Sequence, residues 1–261
     1  MTYSTEGPDH TSNYDQFFLF GDSITQFSYD TGLGFAFGSA LQNAYARRLD
    51  LINRGFSGYN TDNAVIVFPQ IFPSPQRARV RLMTVFFGAN DAVLAPYGQH
   101  VPLDQYKENL KTILEHPLTK AQDPKIIVIT PAPINEYQLK FFDASKGFDT
   151  PSRTAANTKI YADACRDVAT SLGLPVADLW TAFMDYAGWK PGQPLAGSRD
   201  APANERLSSL LTDGLHFTGT GYKLMYDEVM NVLKATWPEE DPEKLPMVFP
   251  HWEVAPKPAR R

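Results

Sequence analysis

Short apolar runs alternate with longer segments of helical periodicity along residues 16–236 of this chain. The apolar runs predict strands at residues 16–21, 49–53, 80–87, 125–130 and 175–179. The segments between them predict helices over residues 35–48, 61–71, 104–114, 152–172, 180–188 and 219–236. The run at 80–87 is apolar nearly throughout, which is typical of a strand that is covered on both faces. The alternation therefore predicts an α/β fold, with a parallel sheet and helices on both of its faces.

The helix predicted at residues 152–172 presents an apolar face made of Ile160, Tyr161, Ala164, Cys165 and Val168. Cys165 is the only cysteine of the chain, so it has no partner for an internal disulfide. Its place on the apolar face predicts a buried structural thiol. The single cysteine also gives no basis for a cysteine-based metal site.

The two ends of the chain differ in composition from the part between them. Residues 1–15 are polar, and we interpret them as an N-terminal tail before a domain at 16–236. Residues 237–261 form a C-terminal extension with six prolines and no helical period. Its apolar cluster between Leu245 and Trp252 predicts contact with an apolar surface. That surface is a second subunit in a possible homodimer, the rim of the chain's own pocket, or a neighbouring patch of the same domain.

Charge and hydropathy narrow the possible partners. The formal net charge is -5 with both signs mixed throughout, so no basic stripe indicates nucleic-acid binding. No apolar run approaches the roughly 20 residues that span a membrane, so we expect no membrane span. Residues 1–15 carry no apolar segment of a secretory signal, which predicts a cytoplasmic protein. A secreted protein without its signal would have a similar sequence.

Polar residues follow the first three predicted strands where each strand ends. Ser23 follows the first, Gly58 the second and Asn90 the third, and these loops should meet at one edge of a parallel sheet. Later in the chain, Asp213 and His216 lie three residues apart on a predicted turn. A nucleophilic serine needs a base and a group that orients the base, which this pair can supply. Gly58 and Asn90 can supply N–H donors to an oxyanion.

Each of these residues also has an ordinary structural interpretation. Ser23 and its neighbours suit a turn, Gly58 a tight loop, and Asn90 a loop stabilised by its own side chain. His216 suits a surface or capping position, and His100 lies in a loop from which it could line a pocket.

Other enzyme classes fit the sequence less well. The chain has no Gly-x-Ser-x-Gly elbow of an α/β-hydrolase, and its glycines at 32, 34 and 38 do not match a dinucleotide fingerprint. Asp213 and His216 alone are a poor metal site.

Four blocks resemble those of the SGNH (GDSL-type) hydrolase family and occur in the family's order. They are Gly21-Asp22-Ser23-Ile24-Thr25, Gly55-Phe56-Ser57-Gly58, Gly88-Ala89-Asn90-Asp91 and Asp213-Gly214-Leu215-His216. Within the family, the chain is most similar to the isoamyl-acetate-hydrolysing esterases, through residues 53–59, 88–91, 100–103, 130–133 and 213–217. Ala132 departs from the proline expected there, at a position with no expected chemical role.

The resemblance implies a flavodoxin-like three-layer α/β/α sandwich with a five-stranded parallel sheet. It implies Ser23 as the nucleophile, His216 as the base and Asp213 as the group that orients His216. It also implies an oxyanion hole made of the Ser23 N–H, the Gly58 N–H and the Asn90 amide. Such chemistry requires no cofactor and no metal.

These observations together predict a serine esterase that hydrolyses small carboxylic esters, short-chain acetates in particular, through an acyl-enzyme on Ser23. A carbohydrate O-acetyl esterase, an acyl thioesterase or lysophospholipase, and a catalytically inactive binding protein with the same fold stay open as alternatives. The aromatic residues beside the two loops, Phe27, Tyr29, Phe56 and Tyr59, are predicted to form an apolar wall for the substrate. Ordinary core and loop packing is the alternative for each of them.

Overall fold

The computed structural model describes residues 14–258, and a sheet of five parallel strands forms its centre. The strands are β1 (Asp15–Gly21), β2 (Leu49–Gly55), β3 (Val80–Phe86), β4 (Lys125–Ile129) and β5 (Val176–Ala177). They lie in the order β2-β1-β3-β4-β5, so the direction of the connections reverses between β1 and β3. In open α/β sheets, ligands bind beyond the carboxyl ends of strands at such a reversal.

Helices cover both faces of the sheet in the part of the chain that the structure describes. They are α1 (Ser23–Gln26), α2 (Phe37–Ala44), α3 (Thr61–Ile71), α4 (Leu103–Leu114), α5 (Pro117–Gln122), α6 (Glu136–Ser145), α7 (Ala155–Ser171), α8 (Leu179–Tyr186), α9 (Glu205–Leu210) and α10 (Gly219–Thr236). Short 3₁₀ turns follow α1 and α10.

Alternate residues of β1 point into two separate cores. Phe17 and Leu19 belong to a core with residues of α2, α8 and α10, whereas Phe18 and Phe20 belong to a core with residues of α3, α4 and α7. Successive side chains of a strand point to opposite faces, so this division shows a helical layer on each side of the sheet. The predicted three-layer α/β fold with a five-stranded parallel sheet is confirmed.

Several local predictions differ from the structure. Helices α1, α5, α6 and α9 were not predicted. Ile160 was expected to be buried, and this is wrong: it is 48% exposed, because α7 turns that position to the solvent. Cys165 is buried as predicted, and its thiol contacts the Ile129 carbonyl. Strand β1 begins at Asp15, within the predicted N-terminal tail, while residues 1–13 lie outside the described residues.

The C-terminal extension packs on the amino ends of the strands. Glu240 is buried and pairs with Arg81 of β3 at 2.7 Å and with Lys125 of β4 at 2.5 Å. Leu245 joins the core, and its carbonyl accepts a hydrogen bond from Arg48. The alternative that placed the extension at the rim of the chain's own pocket is wrong, because these contacts lie opposite the carboxyl ends of the strands. The homodimer stays a prediction.

No helix within residues 14–258 combines the length and the apolar character needed to cross a membrane.

Candidate active site

Ser23 is held at the sharp turn between β1 and α1. Asp22 caps α1, since its carboxylate accepts the Ile24 N–H at 2.9 Å. Gly21 permits the turn because a Cβ at that position would lie 2.1 Å from the Thr25 hydroxyl oxygen. The serine is 5% exposed and begins the helix directly after the strand. Its hydroxyl is therefore fixed at the carboxyl end of β1.

Ser23, His216 and Asp213 form a continuous hydrogen-bonded chain. The Ser23 Oγ lies 2.9 Å from His216 Nε2, and His216 Nδ1 lies 2.7 Å from Asp213 Oδ2. The other oxygen of Asp213 accepts the backbone N–H groups of Leu215 and His216, so the turn itself orients the carboxylate. An ionised carboxylate only accepts, which assigns the proton to Nδ1 and leaves Nε2 to accept from Ser23.

Asp213 stays ionised because its hydrogen bonds outweigh its burial. Burial alone raises the pKa of this carboxyl. The pKa is nevertheless held below its ordinary value by the hydrogen bond from His216, by the charge of His216 and by the two backbone N–H groups. A carboxylate that is ionised at neutral pH can stabilise an imidazolium formed on His216. The three residues thus have the geometry and the charge of a nucleophile, a base and an orienting acid.

Three residues that carry N–H donors, Ser23, Gly58 and Asn90, follow three strand ends and line one cavity. The Asn90 Nδ2 donates one hydrogen to the Tyr59 carbonyl at 2.8 Å and keeps a second hydrogen for another acceptor. Within residues 14–258, no protein group accepts the backbone N–H of Ser23 or of Gly58. Gly58 has φ +81°, a conformation that other residues rarely adopt. The structure therefore brings together the donors that the sequence predicted.

A cavity of about 260 Å³ opens over these groups. Ser23, Gly58, Asn90 and His216 line it, with Ser57 and Leu215 of the same sequence blocks. The lining also includes residues that the sequence analysis did not single out: Gln99, Phe142, Lys146, Phe148 and Arg153. Most of the added residues come from the end of α6 and the segment that leads to α7. The sequence analysis did not predict α6, although Asn135 caps it and Gln138 follows three residues later, which is a local start signal for a helix.

The four aromatic residues predicted as a substrate wall do not line this cavity. Phe27 is 39% exposed, and its ring centroid lies 5.9 Å from that of His216. Tyr29 packs against the core near α2. Phe56 and Tyr59 stack on each other at 5.2 Å and pack against the other core. A role for these residues in substrate binding stays a prediction.

Two buried carboxyl groups beside the site have raised pKa values. Burial raises the pKa of Asp22 to about 6, although the hydrogen bond from the Ile24 N–H and the positive charge nearby act to lower it. Burial also raises the pKa of Asp91 to about 7, although Asp91 accepts the Thr61 N–H at 2.9 Å and the Thr61 hydroxyl at 2.5 Å. Asp91 thereby ties the loop after β3 to the start of α3.

Two further candidates can be placed. The Nδ1 of His100 lies 2.6 Å from the Val93 carbonyl, and His100 does not line the cavity. Among residues 14–258, no three His, Cys, Asp or Glu side chains are grouped so that they could hold a metal ion.

Comparison with known proteins identifies the family. Residues 19–224 match the sequence model of the GDSL-like lipase/acylhydrolase family. The chain is 34% identical over 241 residues to the human isoamyl acetate-hydrolyzing esterase 1 homolog, covering 90% of this chain and 85% of that protein. It is 31% identical over 249 residues to the isoamyl acetate-hydrolyzing esterase of Saccharomyces cerevisiae, covering 92% of this chain and 94% of that protein.

Solved structures show the same fold. The acetyl xylan esterase AlAXEase superposes with a TM-score of 0.62 at 19% identity, covering 83% of this chain and 98% of that one. The chain belongs to the GDSL-like lipase/acylhydrolase family, as its sequence blocks predicted, and it is a carboxylic ester hydrolase.

Proposed function

We propose that this protein is a serine esterase that hydrolyses small carboxylic esters, short-chain acetates in particular, through an acyl-enzyme on Ser23. The observation that carries the proposal is the chain from Ser23 Oγ to His216 Nε2 at 2.9 Å and from His216 Nδ1 to Asp213 at 2.7 Å. This chain opens into the cavity at the carboxyl ends of β1, β2 and β3, whose lining includes Ser23, Gly58 and Asn90.

In the first half of the reaction, the Ser23 oxygen attacks the ester carbonyl while His216 Nε2 takes the hydroxyl proton. Asp213 keeps the imidazole in the required tautomer and stabilises the imidazolium. The negative charge on the former carbonyl oxygen is bound by the N–H groups of Ser23, Gly58 and Asn90. His216 then gives its proton to the departing alkoxide, and the alcohol leaves.

In the second half, water attacks the acyl group on Ser23. His216 takes a proton from the water, and the same three N–H groups stabilise the second tetrahedral intermediate. Collapse of that intermediate returns the proton from His216 to Ser23 and releases the carboxylic acid. The residues at the site thus perform both half-reactions by nucleophilic attack, proton transfer and hydrogen bonding.

The size of the cavity supports a small substrate. Its volume of about 260 Å³ lies just below the range of roughly 300–1,000 Å³ that ligand pockets generally have. Phe142, Phe148 and Leu215 give it apolar surface, which suits a short alkyl group. Two relatives with more than 30% identity carry names that specify isoamyl acetate as their substrate.

Two measurements test the proposal. A fluorophosphonate probe should label Ser23, as located by peptide mass spectrometry, whereas a binding protein without catalysis would stay unlabelled. On p-nitrophenyl esters from acetate to palmitate, kcat/KM should be highest for acetate. Isoamyl acetate, an acetylated xyloside and an acetyl thioester complete the panel. Labelling of Ser23 with a preference for palmitate or for the thioester would keep the nucleophile and reject the proposed substrate class.

We also expect the hydrolysis to weaken at acid pH. A protonated imidazole cannot accept the Ser23 proton, so a histidine base predicts that kcat/KM, measured from pH 8 to pH 5, declines on acidification. Asp213 stays ionised across this range because its pKa is lowered. Asp22, with a pKa of about 6, gains a proton in the same range.

The Asp22→Asn variant separates the two titrations. Asn still caps α1 through its side-chain oxygen, but it does not titrate. The decline at acid pH should persist in this variant, as measured by kcat/KM profiles. A profile that becomes flat in Asp22→Asn would assign the decline to Asp22, and a flat wild-type profile would exclude a histidine base.

A further inference from the structure

Arg153 is a buried cation in the wall of the cavity. It is 4% exposed and lies directly before Thr154, the N-cap residue of α7. Long charged side chains are almost never buried to this degree unless they are paired. Within residues 14–258, however, no carboxylate lies within ion-pairing distance of Arg153. A buried guanidinium without an ion partner beside Ser23 and His216 requires an explanation.

The guanidinium binds the loop that carries Asn90. Its Nε donates to the Ala89 carbonyl at 2.8 Å, and its Nη2 donates to the Asn90 Oδ1 at 2.9 Å. Its Nη1 donates to the Ser152 hydroxyl at 3.3 Å. Ser152 is in turn held by Asp143 of α6, which accepts its N–H at 2.9 Å and its hydroxyl at 2.6 Å. Arg153 is therefore fixed from behind and directed at Asn90.

We propose that Arg153 is a positioning residue of the oxyanion hole, which orients the Asn90 amide and places a positive charge behind it. This inference rests on the proposed esterase function and adds a residue that the sequence blocks do not contain. It predicts that Arg153 acts through Asn90 and mainly in the transition state.

The orientation follows from the donors available. The two ends of an asparagine amide are similar in shape, so hydrogen-bond partners decide which end faces where. A guanidinium has donors only, and it therefore requires the oxygen of Asn90 on its own side. The Nδ2 group is then directed to the Tyr59 carbonyl and to the cavity. Without Arg153, the amide could rotate and present its oxygen to the oxyanion.

The charge acts through the same hydrogen bond. Burial lowers the pKa of Arg153 to about 10, although the negative charges of Asp143, Asp22 and Asp213 act to raise it. The guanidinium therefore stays protonated at neutral pH. A charged donor on the amide oxygen polarises the amide, and this makes its N–H a stronger donor. The gain is largest when the bound oxygen is negative. Loss of Arg153 should consequently lower kcat more than it raises KM.

The primary variant is Arg153→Met, which keeps most of the side-chain length and removes the donors and the charge. We expect kcat to fall by about 10- to 100-fold, less than for loss of a direct oxyanion donor, with KM changed by less than about threefold. Arg153→Lys keeps the charge but cannot hold both Ala89 and Asn90, so it should restore only part of kcat. Added guanidinium ion should partly restore kcat in Arg153→Ala.

A double-mutant cycle with Asn90→Ala separates positioning from general stabilisation. If Arg153 acts through Asn90, then Arg153→Met should lower kcat by no more than about twofold in the Asn90→Ala background. Equal losses in both backgrounds would overturn the inference. So would a normal kcat in Arg153→Met.

Arg166→Met is the matched control, since Arg166 of α7 pairs with Asp163 and Asp178 outside the cavity. It should lower Tm without lowering kcat. The rate of fluorophosphonate labelling of Ser23 gives a second readout, independent of the ester chosen, and it should fall in Arg153→Met but not in Arg166→Met. If the wild-type protein hydrolyses esters while Arg153→Met matches it in both readouts, only this inference fails. If wild-type Ser23 neither reacts with the probe nor turns over any ester, the proposed function fails first.

Discussion

Replacing Ser23 with Ala should abolish ester hydrolysis while the fold stays intact. Ser23 is the only serine whose hydroxyl contacts His216 in the part of the chain described, and the nucleophile has no substitute at the end of β1. In a serine protease series, removal of the nucleophile cost on the order of 10⁶ in kcat. We expect a loss of that order, measured as kcat on p-nitrophenyl acetate, with an unchanged circular dichroism spectrum.

Ser28→Ala is the matched control for this variant. Ser28 is buried five residues further along the chain, and its hydroxyl has no hydrogen-bond partner within the described residues. Its removal should leave kcat and Tm close to those of the wild type. Retained hydrolysis in Ser23→Ala would place the nucleophile elsewhere. An equal loss in Ser28→Ala would indicate that this segment is sensitive to any change.

The central strands β1, β3 and β4 could be predicted from the sequence because they are largely apolar and buried. Neighbouring residues of β3 such as Leu82 and Met83 point to opposite faces and are both buried, so the whole strand appears as one apolar run. Helix α10 was predicted with its observed bounds, since its apolar positions recur at helical spacing. Elements with one dominant local signal were therefore found.

Helix α6 was missed because its polar and apolar residues do not face the sides of the helix that their polarity predicts. It buries Asp143, which binds Ser152, and it exposes Phe141 at 68%. A buried carboxylate and an exposed phenylalanine reverse the rule that predicts which face of a helix is inward. Asn135 caps the helix locally, but the burial of Asp143 depends on its tertiary contacts with Ser152, which a single sequence does not show.

The candidate site likewise has one part that could be predicted from the sequence and one part that could not. Ser23, Gly58 and Asn90 could be placed together because parallel strands deliver their carboxyl ends to one edge. The opposite wall comes from residues 142–153, whose approach to the cavity depends on the packing of α6. Phe56 was expected at the pocket because it is close in sequence to Gly58, but it does not line the cavity and its half-buried side chain packs against the core. Neighbours in a loop can point in opposite directions, so proximity in sequence did not identify the wall.

Replacing Asn90 with Ala should lower kcat by about 10²- to 10³-fold with a smaller change in KM, because a donor to the oxyanion acts mainly in the transition state. The loss of the amide also frees the Tyr59 carbonyl and Arg153, so a control must remove the same kind of bond elsewhere. Asn157→Ala does so, since the Asn157 Nδ2 donates to the Ala92 carbonyl at 2.7 Å, on the same loop but outside the cavity. We expect Asn157→Ala to lower Tm and to keep kcat within about twofold of the wild type, because a lost bond of this kind costs about 1 kcal/mol of stability and leaves the donors in place.

Asn90→Asp, which keeps the shape and the bond from Arg153 but cannot donate as a carboxylate, should be as impaired as Asn90→Ala. Steady-state kinetics on one acetate ester compare the three variants. If Asn90→Asp retained wild-type kcat, or if Asn157→Ala lost as much as Asn90→Ala, then Asn90 would serve the structure of its loop rather than the oxyanion.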